Sequence, residues 1–252
     1  MALVEISAPS DVLQTTVSFN VILPENGAAP CRTLYLLHGM SDDHTAWLRR
    51  SSIERYVEDT SLAVVTPFAA LSFYTDEYCG DDYFQFVSRE LPALCRQLFP
   101  QMSHDRNDTF AAGLSMGGYG AIKCALLAPE TFSCAASLSG ALDMAGRVQH
   151  ASPDDSAYFF DLFGPADAMR GSPNDLFAAA ANYAAAPSFP IRLYMACGTE
   201  DFLYQDNLRF RDHLRRLHLD PVWREAPGAH TWDFWDAEIQ NVIRWLLPQK
   251  EE

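Results

Sequence analysis

Apolar residues along this chain come in two rhythms, and the rhythms take turns. Short, nearly continuous apolar runs at 32–38 (RTLYLLH), 62–68 (LAVVTPF), 132–138 and 191–197 (IRLYMAC) have the pattern of strands covered on both faces. An alternating, β-branched run at 13–23 (LQTTVSFNVIL), followed by the turn signal Pro24-Glu25-Asn26-Gly27, predicts an early antiparallel strand, and 221–225 a last short one. Between the strands, apolar residues recur at three- and four-residue steps, as on one face of a helix. Phe84, Val87, Leu91, Leu94 and Leu98 do so within 81–99, although Pro92 should break or kink that helix near its middle. Leu208, Leu214, Leu217 and the stem of Arg211 do so within 206–218, and Phe234, Trp235, Ile239, Val242, Ile243 and Leu246 within 231–247. Trp47, Ile53, Tyr56 and Val57 predict a helix over 43–58. Alternating strands and helices predict an α/β fold with a mainly parallel central sheet and helices on both faces.

One segment breaks the alternation. Residues 141–190 separate two sheet strands and hold several Pro, Gly and Asp together with the aromatic cluster Tyr158-Phe159-Phe160. Such a segment is either a connecting helix with long flanking loops or a small cap-like insertion that shapes a pocket, and the second is our expectation. No repeat, low-complexity tract or linker divides the chain, so residues 1–252 read as a single domain.

Composition narrows the function classes. A net charge of −15 argues against nucleic acid or anionic membrane as partner, since both would be repelled. No apolar run reaches membrane-spanning length, and the opening MALVEISAPSDV lacks the basic residues of a secretory signal, which points to the cytoplasm. The six cysteines (Cys31, Cys79, Cys95, Cys124, Cys134, Cys197) show no C-x-x-C spacing, and buried, reduced thiols are the expected state. A homo-oligomer is compatible with the sequence but not legible in it.

The chemistry concentrates around DTFAAGLSMGGYGA at 108–121. It contains Gly113-Leu114-Ser115-Met116-Gly117, a G-x-S-x-G pentapeptide with strand character before it and a helix, ending ahead of Pro129, behind it. Strand, tight turn and helix are what a nucleophile elbow needs: a serine hydroxyl is a weak nucleophile and must be presented on a sharp bend within reach of a base. In this arrangement the partners follow in the order serine, acid, histidine. Asp201 leaves the strand at 191–197, within CGTEDF, and is the expected acid; Asp143, after another strand end, and Glu200 are its rivals. Among seven histidines, His230 (GAHTW) alone combines the right order with a position between the last strand and the last helix. An oxyanion hole needs one N–H from the residue after the nucleophile, Met116, and one from the loop after an early strand, where LLHGM gives Met40, with Gly39 as the alternative. Trp47 and Phe202 are candidate pocket residues, with Gly39 at the turn. No clustered His, Cys or Asp ligand set calls for a metal, and no organic cofactor is implied.

The stretches LYLLHGMSDDHTAWLRRSSIERY, AAGLSMGGYGA, CGTEDFLY and PGAHTWDFW together resemble the tributyrin esterase branch of the esterase D family, which also includes S-formylglutathione hydrolases, feruloyl and acetyl-xylan esterases and mycolyltransferases. The similarity runs from about residue 33 to 246. It implies an α/β-hydrolase fold and a carboxylesterase preferring short acyl chains on small-molecule esters. It carries Ser115, Asp201 and His230 over as a triad, with the amides of Met40 and Met116 as oxyanion donors. Residues 141–190 match no motif of the family. A carbohydrate-ester hydrolase would suit the aromatic cluster, and a thioesterase would use the same machinery, although no stretch concentrates basic residues of the kind glutathione carboxylates would require. A non-catalytic binding module on this fold would need a broken triad.

Overall fold

The computed structural model describes residues 1–24 and 30–247, so most of the turn expected at 24–27 lies outside the described residues. Eight strands form one sheet: β1 (Ala2–Ser10), β2 (Thr15–Leu23), β3 (Arg32–Leu37), β4 (Leu62–Pro67), β5 (Thr109–Leu114), β6 (Cys134–Leu138), β7 (Arg192–Gly198) and β8 (Val222–Ala226). Their spatial order is β1-β2-β4-β3-β5-β6-β7-β8. β1 pairs antiparallel with β2 and β2 antiparallel with β4; every other pairing is parallel. Strands β3 to β7 are buried along almost their whole length, and their side chains alternate between two cores, whereas the edge strand β8 is half-buried to exposed. Tyr35 and Leu37 of β3, with Ala63 and Val65 of β4, enter one core. Leu34, Leu36, Leu62 and Val64 enter the other. Burial on both faces is why these strands read as continuous apolar runs.

The helices sort onto the two faces. α1 (Ala46–Arg50), α2 (Ile53–Val57) and, at the end of the chain, Trp232–Leu246 cover the second core. The helix expected over 43–58 is thus two short ones. Ser51 explains the division: its hydroxyl donates to the Trp47 carbonyl at 2.5 Å and accepts from Ile53 N–H at 3.2 Å, replacing a turn of backbone bonding. On the first face, α3 (Tyr83–Gln85) runs through a π-helical turn (Phe86–Glu90) into α4 (Leu91–Leu98). Pro92 therefore widens the helix rather than ending it. A π turn shifts the bonding by one residue, which accommodates a position that has no N–H to give.

α5 (Met116–Leu127) follows β5 and is buried on nearly every side, lying between the sheet and the β6–β7 connection. That connection holds four helices: α6 (Met144–Gln149), α7 (Pro153–Phe163), α8 (Ala166–Met169) and α9 (Leu176–Ala185). α10 (Tyr204–Arg216) links β7 to β8, and α11 is the closing helix Trp232–Leu246. Among the described residues, no helix is long and apolar enough to cross a membrane. All six cysteines carry free thiols; Cys79 is exposed and the other five are buried.

Candidate active site

Parallel pairing sends the C-terminal ends of β3, β5, β6, β7 and β8 to one edge of the sheet, where the loops that follow them meet. Ser115 stands between β5 and α5 at φ 52°, ψ −114°, a left-handed conformation that costs a non-glycine residue about 1–3 kcal/mol. The end of β6 holds it there: Ser115 N–H donates to Leu138 O at 2.9 Å, and Ala141 N–H donates to Ser115 O at 3.1 Å. Two glycines make the bend passable. A Cβ on Gly113 would fall 2.4 Å from the Gly117 carbonyl, and one on Gly117 would fall 2.4 Å from the Leu37 carbonyl at the end of β3. Strand and helix thus close to backbone contact around the serine.

The loop after β7 carries Asp201 and the loop after β8 carries His230. Backbone bonds from Thr199 N–H to Ala226 O and from Glu200 N–H to Gly228 O clip the two loops together. Asp201 Oδ2 lies 2.8 Å from His230 Nδ1, and its Oδ1 accepts from Leu203 N–H at 2.8 Å. Burial pushes the Asp201 carboxyl up, but bonds from His230, Leu203 N–H and Ser139 outweigh it and hold the group below its ordinary value. The carboxylate side chain is wholly buried while the imidazole keeps 20% of its surface exposed. Phe202 and Trp235 clamp the ring, with centroids at 4.7 and 4.8 Å. With Nδ1 engaged by the carboxylate, Nε2 is the nitrogen left for the cavity, which Ser115 and His230 both border.

Both rival acids have other partners. Asp143 caps α6 by accepting from Gly146 N–H at 3.0 Å and pairs with Arg209 at 2.9 Å. Glu200 accepts from Gly228 N–H and from the Thr199 hydroxyl.

The loop after β3 completes the edge. The Gly39 carbonyl contacts His38 Nδ1 at 2.8 Å and accepts from Asp42 N–H at 3.2 Å, while His38 Nε2 accepts from Ala69 N–H at 3.0 Å. Since Nε2 is an acceptor, the ring proton sits on Nδ1 and points at Gly39 O. Burial pushes the His38 imidazole down in pKa, which favours this neutral form. The Tyr74 hydroxyl pins the His38 carbonyl at 2.9 Å. A peptide directs its carbonyl and its next N–H to opposite sides. Anchoring Gly39 O therefore turns Met40 N–H the other way, and neither Met40 N–H nor Met116 N–H donates to any group among the described residues.

The cavity has a volume of about 390 Å³. Gly39, Met40 and Phe202 border it, Phe202 with 67% of its surface exposed. Trp47 does not, contrary to expectation. It is fully buried, its Nε1–H donates to Leu37 O at 3.0 Å, and its ring packs on Trp232, so it supports the β3 end from behind. Sequence reasoning passed over Phe73, Met144, Arg147 and Asp155, which also line the cavity. The aromatic cluster divides: Tyr158 and Phe159 face the cavity, whereas Phe160 packs outside against Tyr78. Basic residues dispersed along the chain are also gathered, since Arg147, Arg170 and Arg209 line an adjoining cavity together with Asp143, Asp155 and Asp206. Their signal was absent because they come from three different helical contexts.

A family profile described as "Putative esterase" matches residues 10–246. An acetyl esterase of Caldicellulosiruptor saccharolyticus is 32% identical, the alignment covering 98% of each chain. Among solved structures, the fluorophosphonate-binding serine hydrolase F of Staphylococcus aureus superposes with a TM-score of 0.90 at 32% identity, covering 98% of this chain and 99% of that one. An S-formylglutathione hydrolase from the same organism gives 0.87 at 33% identity, covering 97% and 98%. With its mostly parallel eight-stranded sheet, its serine on a positive-φ bend and these relatives along its whole length, the chain belongs to the Esterase family and is a carboxylic ester hydrolase of the α/β-hydrolase fold.

Proposed function

We propose that the protein is a serine carboxylesterase that cleaves short-chain acyl esters through an acyl-serine intermediate. The observation that carries this reading is the convergence of Ser115, on its strained bend, and His230, bonded to the buried Asp201, on one small cavity. In this reading Ser115 Oγ attacks the ester carbonyl while His230 Nε2 takes its proton. Asp201 holds the imidazole tautomer and offsets the charge that forms on the ring. The carbonyl oxygen, now negative, rests on the free amides of Met40 and Met116, the second at the N-terminus of α5. The alcohol departs with the proton from His230, and water activated by the same nitrogen releases the acid.

A cavity of about 390 Å³ supports a short acyl chain and a compact alcohol, the preference implied by the likeness to tributyrin esterases. We assign the helices between β6 and β7 to its roof, since Met144, Arg147, Asp155, Tyr158 and Phe159 come from them. The free thiols support a reducing, cytoplasmic setting. A thioester reading is supported by the likeness to the staphylococcal S-formylglutathione hydrolase.

The test is turnover of 4-nitrophenyl acetate and butyrate with labelling by a fluorophosphonate. Wild type should turn over and label at Ser115. Ser115→Ala and His230→Ala should lose roughly 10⁶-fold in kcat, and Asp201→Ala roughly 10⁴-fold. Unlabelled, inactive wild type would leave a binding module as the remaining account. A kcat/KM on S-formylglutathione far above that on the acetate would make the thioester the substrate.

A further inference from the structure

Next to the reaction cavity lies a second one of about 520 Å³, and Arg147, Asp155 and Phe159 form walls of both. Its charged lining is unevenly satisfied. Arg209 is spent: it donates to Asp143 and to Asp206, each at 2.9 Å. Those two carboxylates are spent as well, Asp143 on the cap of α6 and Asp206 on both Arg209 and, at 3.5 Å, Arg147. Arg147 is under-used. Its Nε is buried without any hydrogen-bond partner, and its guanidinium lies over the Phe202 ring at 5.6 Å, beside the site histidine. Arg170 gives one bond, Nε to Gln149 Oε1 at 2.9 Å, and has no carboxylate partner among the described residues. A buried guanidinium N–H left unpaired is costly, and a planar carboxylate satisfies a guanidinium better than any neutral group. The lining holds three aspartates against three arginines, and Asp155 is the aspartate without an arginine partner among the described residues; it is exposed and accepts from the Ser152 hydroxyl at 2.7 Å.

We propose that this annex is a subsite for a carboxylate carried by the substrate, held by Arg147 with Arg170 behind it. The inference rests on the esterase reading of the adjoining cavity and adds to it. On a chain of net charge −15 an anionic substrate is repelled in bulk, and in this evenly charged annex it would be met by the donors that Arg147 and Arg170 do not spend on protein groups. Arg147 is thus a specificity-determining residue, and Asp155 sets a limit on how strongly it attracts.

The experiment compares 4-acetoxybenzoate with its neutral isostere 4-acetoxybenzamide. Wild type should favour the carboxylate in kcat/KM once intrinsic leaving-group reactivity is divided out. Arg147→Gln should lower the carboxylate-to-amide ratio by about tenfold, a charge-assisted hydrogen bond's share. Arg147→Lys should lower it less, Asp155→Asn should raise it, and 1 M salt should compress it in wild type. A ratio divides out any general loss of activity or folding. Calorimetry with 4-hydroxybenzoate and 4-hydroxybenzamide reads the same contrast without turnover, so the annex is tested even if 4-nitrophenyl acetate is not hydrolysed. A ratio unchanged by Arg147→Gln, or equal binding of the two phenols, overturns the proposal.

Discussion

His38 never touches the cavity, yet the orientation of the Met40 amide passes through its ring. A protonated His38 would set an Nε2–H against Ala69 N–H, donor against donor, and the bond holding the loop would be lost. Its folded pKa is depressed, so its stabilising effect is present above the unfolded value near 6.5 and is lost as pH falls through the folded one. We expect His38→Ala to lower kcat towards 10²-fold, the scale of one missing oxyanion donor, with little change in KM for 4-nitrophenyl acetate. A kcat within twofold of wild type would mean that the Gly39–Met40 peptide is held by other groups. Ser115, His230 and Asp201 were expected at successive strand ends, and the structure brings those ends together at one edge because parallel pairing constrains where they lie. The place of Trp47 was not legible, because proximity in sequence to the loop after β3 does not tell a side chain that faces the cavity from one that props the strand behind it. Asp143 looked like an acid only because helix caps and site carboxylates both follow strand ends.

At the level of elements, the parallel strands and most helices were visible from apolar periodicity. β1 was overlooked, since its residues alternate with weak contrast and it gains its partner only by pairing with β2 along nine positions. The Pro92 turn was located but its form was not, because a proline in a helix can be accommodated by widening as well as by stopping. α5 shows what periodicity misses altogether. Its Lys123 is buried, with Nζ donating to Thr75 Oγ1 at 2.5 Å and Asn174 Oδ1 at 2.6 Å and lying 4.9 Å from the Phe84 ring centre. It fastens the helix that follows Ser115 to the loop after β4 and to the β6–β7 connection. Burial drives its pKa down to about 7, against the pull of Asp76 and Cys124. An unfolded lysine titrates near 10.4, so the cost of burying the charge is full below pH 7 and is relieved as pH rises from about 7 towards 10.4. Urea midpoints of wild type and Lys123→Met should therefore converge in favour of wild type across that interval. A difference that is flat with pH would show that the ammonium is not desolvated.

For the molecule as a whole, the α/β architecture was readable from the alternation alone, while the way residues 141–190 fold was not, since short capped helices leave little periodic trace. The same holds for the gathering of distant arginines. One global property is directly testable: five thiols are enclosed, with burial raising Cys95, Cys124 and Cys197 to about 12, and Cys79 is exposed. A thiol reagent at neutral pH should modify one cysteine in the native protein and all six in urea, and a reductant should leave the thermal midpoint unchanged. Rapid modification of two or more would mean that the core opens.

The loops that meet at the sheet edge are drawn from residues as far apart as Gly39 and His230, and His230 is made more than a hundred residues after Ser115. During synthesis the bend at Ser115 is complete in sequence long before the loop that carries His230 is made. If the proposed chemistry holds, ester cleavage would stay silent until the loop that carries His230 has docked, so that a chromogenic acetate could time that step of refolding.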